Sequence, residues 1–202
     1  MTLVKICGLM QPADAEAVNQ AQPDFAGFIF VAGKRRQISF AKAARIRQAI
    51  QPQIKTVGVF VDAPLPDMLA AVQQNIISVV QLHGHEPETT VQALQQAGAQ
   101  VIQVQHQATL TSADYVLYDA AQPGSGKIFD WHQLPKQPPR LFFLAGGLNL
   151  TNIKTALTQV QPAGVDVSSG VETNGIKDSA KISAFVQAVR QFNLEVSRNA
   201  KN

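Results

Sequence analysis

The stretch that decides the fold is Ala163-Gly-Val-Asp-Val-Ser-Ser-Gly170, in which a strand-like apolar run ends in two serines and a glycine. Upstream, Leu141-Phe-Phe-Leu-Ala-Gly-Gly147 repeats the arrangement, and a helical pattern separates the two stretches. Glycine lets the backbone approach an oxyanion closely, and bare N–H groups supply hydrogen-bond donors. Either turn alone is an ordinary strand-to-helix connection, but two in succession are typical of the phosphate site of a parallel (β/α)8 barrel.

The rest of the chain alternates between strand-like and helix-like segments. Runs rich in β-branched or aromatic residues predict strands at Leu3–Ile6, Phe25–Phe30, Thr56–Val61, Ser78–Leu82, Gln100–Val104, Tyr115–Tyr118, Leu141–Leu144 and Gly164–Val167. Helical periodicity marks segments that include Lys42–Ile50, Leu65–Gln74, Pro87–Ala97, Leu150–Val160 and Ser179–Phe192, and it is weak after the fifth and sixth strands. This alternation predicts an α/β fold, a single compact (β/α)8 barrel over residues 1–202 with a frayed tail at about 198–202.

Composition sets the class of protein. The chain has 202 residues, 46% of them hydrophobic, which is ample for one packed core. It has neither an apolar run near the roughly 18 residues of a membrane span nor the zones of a secretory signal. One cysteine excludes an internal disulfide, and the net charge of +3 is too small and scattered to indicate a nucleic-acid surface. We therefore expect a cytoplasmic protein that binds neither nucleic acid nor membrane. Either a monomer or a homodimer is expected, and the sequence does not decide between them.

In a barrel, the residues that follow each strand form the active face. These residues supply a thiol, cations, imidazoles and carboxylates, namely Cys7, Lys34-Arg35-Arg36, Asp62, His83-Gly-His85 and Asp119. Each has a structural alternative, since cysteine is often a small buried apolar residue and an aspartate at a strand end is often a cap.

Two further motifs lie at this face. The histidine pair lacks further ligands at a usable spacing, so we predict no metal site. Gly124-Ser-Gly-Lys127 resembles a P-loop fragment, but Ala121 and Ile128 break the pattern. We interpret it as a partly basic lid after the sixth strand.

Taken together and in order, the motifs resemble the phosphoribosylanthranilate isomerase family of tryptophan biosynthesis over essentially the whole chain. The motifs are Val4-Lys-Ile-Cys-Gly8, Gly27-Phe-Ile-Phe30 with Arg36-x-Ile-Ser39, Val57-Gly-Val-Phe-Val61, Gln81-Leu-His-Gly84, Asp119, Gly124-Ser-Gly-Lys-x-Phe-Asp-Trp131, Ala145-Gly-Gly-Leu-Asn149 and Val165-Asp-Val-Ser-Ser-Gly-Val-Glu172. The chain departs from the family pattern in two places. The lid lacks a further glycine and threonine, and Ala145 stands where serine is also common. Both departures are minor, because neither falls on a proton-transfer residue.

The resemblance implies an Amadori rearrangement of N-(5'-phosphoribosyl)anthranilate, a small phosphorylated substrate, by acid–base chemistry with no cofactor. It implies Cys7 as general base and Asp119 as general acid, with substrate contacts from Arg36 and His83. It implies that the phosphate is held by Gly146, Gly147, Ser168, Ser169 and Gly170. Asp166 is expected to have a structural or orienting role.

Two expectations about protonation accompany these roles. Neighbouring cations, Arg36 among them, are expected to lower the pKa of Cys7, and burial is expected to raise the pKa of Asp119. The alternative functions are another phosphate-binding barrel isomerase or epimerase, or a barrel that binds a phosphorylated ligand without catalysis. An imidazole-ribotide isomerase would carry an aspartate in place of Cys7.

Overall fold

The computed structural model describes residues 1–119, 131, 134, 135, 138 and 140–199 of the chain. Eight parallel strands close into a barrel in sequence order, and the first strand pairs with the eighth. The strands are β1 Leu3–Cys7, β2 Phe25–Ile29, β3 Lys55–Phe60, β4 Val79–Leu82, β5 Gln100–Val104, β6 Tyr115–Tyr118, β7 Phe142–Leu144 and β8 Gly164–Val167. The predicted fold class is therefore confirmed, and each predicted strand is present with its ends within one residue of the prediction.

Helices surround this barrel. The described part of the chain contains α1 Pro12–Ala21, α2 Phe40–Ala49, α3 Leu65–Gln73, α4 Glu88–Gln96, α5 Ile153–Val160 and α6 Ser179–Asn199. A short 3₁₀ turn at Ser169–Val171 and a two-stranded hairpin, β9 Glu172–Thr173 and β10 Ile176–Lys177, follow β8. The segment 105–114 between β5 and β6 forms no helix, in line with its weak periodicity. None of the helices described here is long and apolar enough to cross a membrane.

The structure differs from the prediction at the start of α5 and at the end of α6. Helix α5 begins at Ile153 rather than Leu150, because the Asn149 backbone N–H donates to the Asn152 side chain and forms a turn before the helix. Helix α6 continues past the predicted end at Phe192 to Asn199, so it includes the first two residues of the predicted tail, while residues 200–202 lie outside the described part. The Asn193 side chain bonds both backbone groups of Thr2 and fastens this helix to the start of β1.

The barrel interior is apolar at the bottom and polar towards the top. Strands β2 to β7 contribute an apolar cluster in which the Phe25 and Phe143 rings meet edge to face, with centroids 5.6 Å apart. A side chain at Gly164 would overlap the Phe143 ring, so only glycine fits there. Successive side chains of a strand point to opposite faces. Lys5 and Cys7 therefore lie on the inner side of β1, while Val4 and Ile6 belong to the core beneath the helices.

Candidate active site

One cavity of about 490 Å³ opens at the carboxyl ends of the strands. Its walls are formed by Cys7, Ile29, Val31, Lys34, Arg35, Arg36, Val59, Val61, Gln81, His83, Asp119, Ala145, Gly146, Gly147, Leu148, Asp166, Val167, Ser168 and Ser169. All the predicted site residues except Gly170 therefore line one space. Gly170 is not a lining residue. A side chain there would overlap the Leu148 carbonyl oxygen, so this glycine allows two loops to touch.

Cys7 ends β1 and is almost fully buried, at 6% exposure. Burial raises the pKa of its thiol above the ordinary value, because an anion loses its solvation there. The charge of Lys5 opposes this shift without overcoming it. The expected fall in the pKa of Cys7 is therefore wrong for the protein without ligand, and the cation with the largest influence is Lys5 rather than Arg36.

Lys5 forms a buried ion pair that the sequence analysis missed. Its side chain is fully buried, and its Nζ lies 3.0 Å from each carboxylate oxygen of Asp166. Burial, the largest single influence, would lower the pKa of Lys5, but the charges and hydrogen bonds of Asp166 and Cys7 together raise it. The partner of Asp166 is therefore Lys5, and its structural or orienting role stays a prediction. The sequence feature that could have identified Lys5 is its position as a lysine on the inward face of an otherwise apolar strand.

Arg36 is held in place by Glu172 from the hairpin after β8. The Arg36 Nε lies 2.7 Å from Glu172 Oε1, and its Nη2 lies 3.1 Å from Oε2. Arg35 and Lys177 donate to the same carboxylate, at 2.6 and 2.9 Å. Burial would raise the pKa of Glu172, but the Arg36 hydrogen bonds and the Lys177 charge lower it to about 2. Glu172 ends the last family motif of the sequence, but its ion pair with Arg36 was not predicted. Lys177 was not predicted as a residue of the site.

The glycine and serine loops after β7 and β8 form the opposite wall. Gly146 and Gly147 have φ angles of 84° and 67°, a region that favours glycine. Within the described residues, the backbone N–H groups of Gly146, Gly147 and Ser169 donate to no other atom. The Ser168 hydroxyl donates to the Cys7 carbonyl at 2.9 Å, so its side chain joins β8 to β1. These loops therefore offer backbone donors to the cavity, while the Ser168 hydroxyl is engaged by β1.

His83 lies inside the cavity and is mostly buried. Burial and, secondarily, the Lys5 charge lower its pKa to about 4, so the imidazole is neutral at physiological pH. The Gln81 amide nitrogen lies 3.4 Å from His83 Nδ1, and because this nitrogen is a donor we assign the ring proton to Nε2. The Nε2 lies 3.9 Å from an oxygen of Asp119, on the far side of the ring. His83 therefore presents a neutral N–H donor beside Asp119.

The two histidines after β4 do not share a site. The His85 side chain is 97% exposed and lies beside Asp62 at the rim, whereas His83 faces the cavity. Among the residues that the structure describes, no three of His, Cys, Asp and Glu are grouped closely enough to hold a metal ion. The predicted lid at Gly124–Lys127 lies outside the described residues.

Fold and cavity together define the class of protein, a (β/α)8 barrel enzyme whose site lies at the carboxyl ends of its strands. The family model of N-(5'-phosphoribosyl)anthranilate (PRA) isomerase matches residues 4–188. The chain belongs to the N-(5'-phosphoribosyl)anthranilate isomerase family, as its motifs predicted.

Similar proteins agree with this assignment. The chain is 51% identical over 194 residues to N-(5'-phosphoribosyl)anthranilate isomerase of Lactiplantibacillus plantarum, covering 95% of this chain and 93% of that protein. Phosphoribosyl anthranilate isomerase from Thermus thermophilus superposes with a TM-score of 0.84 at 29% identity, over 95% of this chain and 100% of that one. A third isomerase was solved in complex with reduced 1-(o-carboxyphenylamino)-1-deoxyribulose 5-phosphate. Its TM-score is 0.77 at 30% identity, with 95% and 100% of the two chains covered.

Proposed function

We propose that this protein converts N-(5'-phosphoribosyl)anthranilate into 1-(2-carboxyphenylamino)-1-deoxyribulose 5-phosphate, a step of tryptophan biosynthesis. The observation that carries the proposal is the single cavity joining Cys7, Asp119 and Arg36 to the glycine and serine loops. The substrate has a carboxylate at one end and a phosphate at the other. Groups suited to each end lie in this cavity, with two proton-transfer groups available between them. The complex of a relative with a reduced product supports the assignment.

Asp119 is the proposed general acid for ring opening. As a carboxylic acid it protonates the furanose ring oxygen, the C1–O bond breaks, and the anthranilate nitrogen becomes a Schiff base. Asp119 follows β6, and its side chain is only 12% exposed, which limits competition from water. The neutral N–H of His83 beside it is a donor for a sugar hydroxyl or the ring oxygen and moves no proton of its own.

Cys7 is the proposed general base for the second step. Its thiolate removes the proton from C2, the electrons of the C–H bond form an enolamine, and the nitrogen loses its positive charge. Protonation at C1 and loss of the proton from the C2 hydroxyl to solvent then give the ketone. The raised pKa of Cys7 makes its thiolate scarcer at neutral pH but also a stronger base once it has formed.

Arg36 is the proposed partner of the anthranilate carboxylate. Glu172 occupies the edge of the guanidinium formed by Nε and Nη2, which leaves both N–H groups of Nη1 and the second of Nη2. One N–H group on Nη1 and one on Nη2 can therefore donate to the two oxygens of a second carboxylate. Glu172 therefore fixes the direction from which Arg36 accepts its ligand.

The loops after β7 and β8 are the proposed phosphate cradle. The backbone N–H groups of Gly146, Gly147 and Ser169 supply neutral donors, which bind a phosphate without adding a countercharge. Gly170 contributes through loop packing, because only glycine allows its approach to Leu148. Ser168 contributes mainly by joining the loop to Cys7.

Turnover tests the proposed function. The substrate is made in situ, and the isomerase step is followed as loss of its anthranilate-type fluorescence, with the product identified by mass and by its ketone. We expect complete conversion at a rate proportional to the concentration of protein. A folded protein that binds the product but converts no substrate would instead indicate a barrel that only binds a phosphorylated ligand.

Replacing Arg36 with lysine is expected to raise KM about tenfold while kcat changes little. Lysine keeps the charge but loses the planar fork, so neither the Glu172 pair nor the pair with the second carboxylate forms as before. The measurement is the steady-state KM of each variant. Arg190→Lys is the matched control, because Arg190 pairs with Asp24 outside the cavity. An unchanged KM in Arg36→Lys would remove Arg36 from the carboxylate site.

A further inference from the structure

A buried ammonium group lies in the layer beneath the proposed base. Lys5 and Cys7 are two residues apart on β1 and both point into the barrel. On the neighbouring strand, Gly27 pairs with Cys7, and a methyl group there would stand 3.0 Å from Cys7 Sγ and 3.4 Å from Lys5 Nζ. The thiol and the ammonium therefore border the same small space, which exists because residue 27 has no side chain.

Stability alone does not explain why Lys5 is buried as an ion pair with Asp166. Lysine is almost never fully buried, and a buried ion pair contributes little more to stability than an apolar pair of the same volume. Here the Lys5 side chain is wholly buried in a barrel whose lower layer is apolar. Asp166 keeps the ammonium charged, and it accepts two of the three N–H groups. One donor of a permanent cation is left for another acceptor.

The charges that face Cys7 come from several elements. They are Lys5 on β1, Asp166 on β8, Lys177 on β10, Arg36 in the loop after β2, and His83 and Asp119 across the cavity. Lys5 favours the thiolate most strongly, Asp166 opposes it, and Lys177 favours it more weakly. Arg36 is engaged by Glu172, and His83 is neutral. Lys5 is thus the principal cation for a negative charge on this sulfur.

We propose that Lys5 is the positioning residue of Cys7, a buried cation held by Asp166 that stabilises the thiolate formed when Cys7 gives up its proton. Cys7 loses that proton to solvent before the reaction, and its thiolate later takes the proton from C2. Lys5 stays protonated throughout and exchanges nothing with the substrate. The proposal rests on the proposed function only for the use to which the thiolate is put.

Alkylation tests the proposal without turnover. Cys7 is the only cysteine of the chain and lines the cavity, so the rate of its reaction with iodoacetamide reports its thiolate directly. The rate is measured from pH 6 to pH 11 in wild type, Lys5→Met and Lys177→Met. We expect the titration midpoint of Lys5→Met to rise, with alkylation at pH 8 falling about tenfold or more, since each pH unit is a factor of ten in thiolate. Lys177→Met is the matched control, since it also removes a buried lysine paired with a carboxylate, and its midpoint should rise less.

A double variant guards against misfolding. Lys5→Met leaves the mostly buried Asp166 unpaired, which destabilises a protein, whereas Lys5→Met with Asp166→Asn removes both charges of the pair. The double variant should fold and still show a midpoint above that of wild type. A midpoint equal to wild type in both variants, or a larger rise in Lys177→Met, would overturn the proposal.

Turnover separates this proposal from the proposed function. Lys5→Met should lower kcat at neutral pH, recover partly as the pH rises, and keep a similar KM, because Lys5 does not touch the substrate. A purely structural role would not produce recovery with pH. If Cys7→Ala retained turnover while Lys5→Met still shifted the alkylation midpoint, the base assignment would fail and the role of Lys5 towards the thiolate would stand.

Discussion

Replacing Cys7 with alanine is expected to lower kcat by about 10²–10⁴-fold, the usual contribution of a positioned general base, with a small change in substrate affinity. The thiol is the basic group at the end of β1, and it lies between the buried cation Lys5 and the cavity. Alanine fills nearly the same space, so the loops that would hold the two ends of the substrate remain. The measurement is steady-state turnover together with the dissociation constant of a reduced product analogue.

Cys7→Ser is the conservative companion to this variant. A hydroxyl group preserves the shape and polarity of the thiol but is a far weaker acid, so the corresponding base does not form at neutral pH. Both variants should therefore lose turnover while retaining ligand binding. Near-normal turnover in either of them, with a normal circular dichroism spectrum, would assign the C2 proton to another group in the cavity.

Asp119→Asn is expected to lower kcat by a similar factor, because an amide cannot protonate the ring oxygen. The substitution keeps the shape of the side chain next to His83, so the cavity changes in acidity more than in form. Turnover is measured with the closed-ring substrate, and accumulation of unreacted substrate identifies ring opening as the blocked step.

Asp62→Asn is the matched control for Asp119→Asn. Asp62 follows β3, stands at the rim, accepts a hydrogen bond from the His85 backbone, and does not line the cavity. Its amide variant should turn over like wild type. An active Asp119→Asn variant would transfer the role of the acid elsewhere, and an inactive Asp62→Asn variant would show that loss of any nearby carboxylate disturbs the site.

The sequence was sufficient to predict the barrel and most of the cavity wall for one physical reason. Period-two burial marks strands and 3.6-residue periodicity marks helices, and closure of a parallel barrel then brings every strand end to one face. The positions of Cys7, Asp119 and the two glycine loops follow from that rule alone. Their roles came from the family resemblance rather than from the pattern.

What the sequence did not predict depends on contacts between distant positions. Lys5 meets Asp166, 161 positions away, only because the last strand closes on the first. Arg36 meets Glu172 across 136 positions for the same reason. No local periodicity encodes such a pair. Gly170 was predicted to bind phosphate, and this stays a prediction; its close approach to the backbone of the neighbouring loop, which also requires glycine, was not predicted.

The pKa of Cys7 was predicted in the wrong direction for a related reason. The sequence shows which cations are near a strand end, but desolvation depends on everything that surrounds the sulfur. In the folded protein, burial outweighs the favourable charge of Lys5. The charge of Lys5 beneath the thiol therefore offsets part of the rise in the pKa of Cys7 that burial in the barrel causes.

The measurement that tests acid–base isomerisation in this cavity most directly is turnover of unlabelled substrate by the wild-type protein in deuterium oxide. If a base removes the C2 proton and the enolamine is protonated afterwards, the product carries one deuterium at C1. Substrate labelled with deuterium at C2 and converted in ordinary water should correspondingly lose its label. A product that takes up no deuterium from solvent and keeps the C2 label at C1 would mean that the hydrogen moves from C2 to C1 without exchange with solvent, which would contradict removal of the C2 proton by Cys7 followed by protonation from solvent.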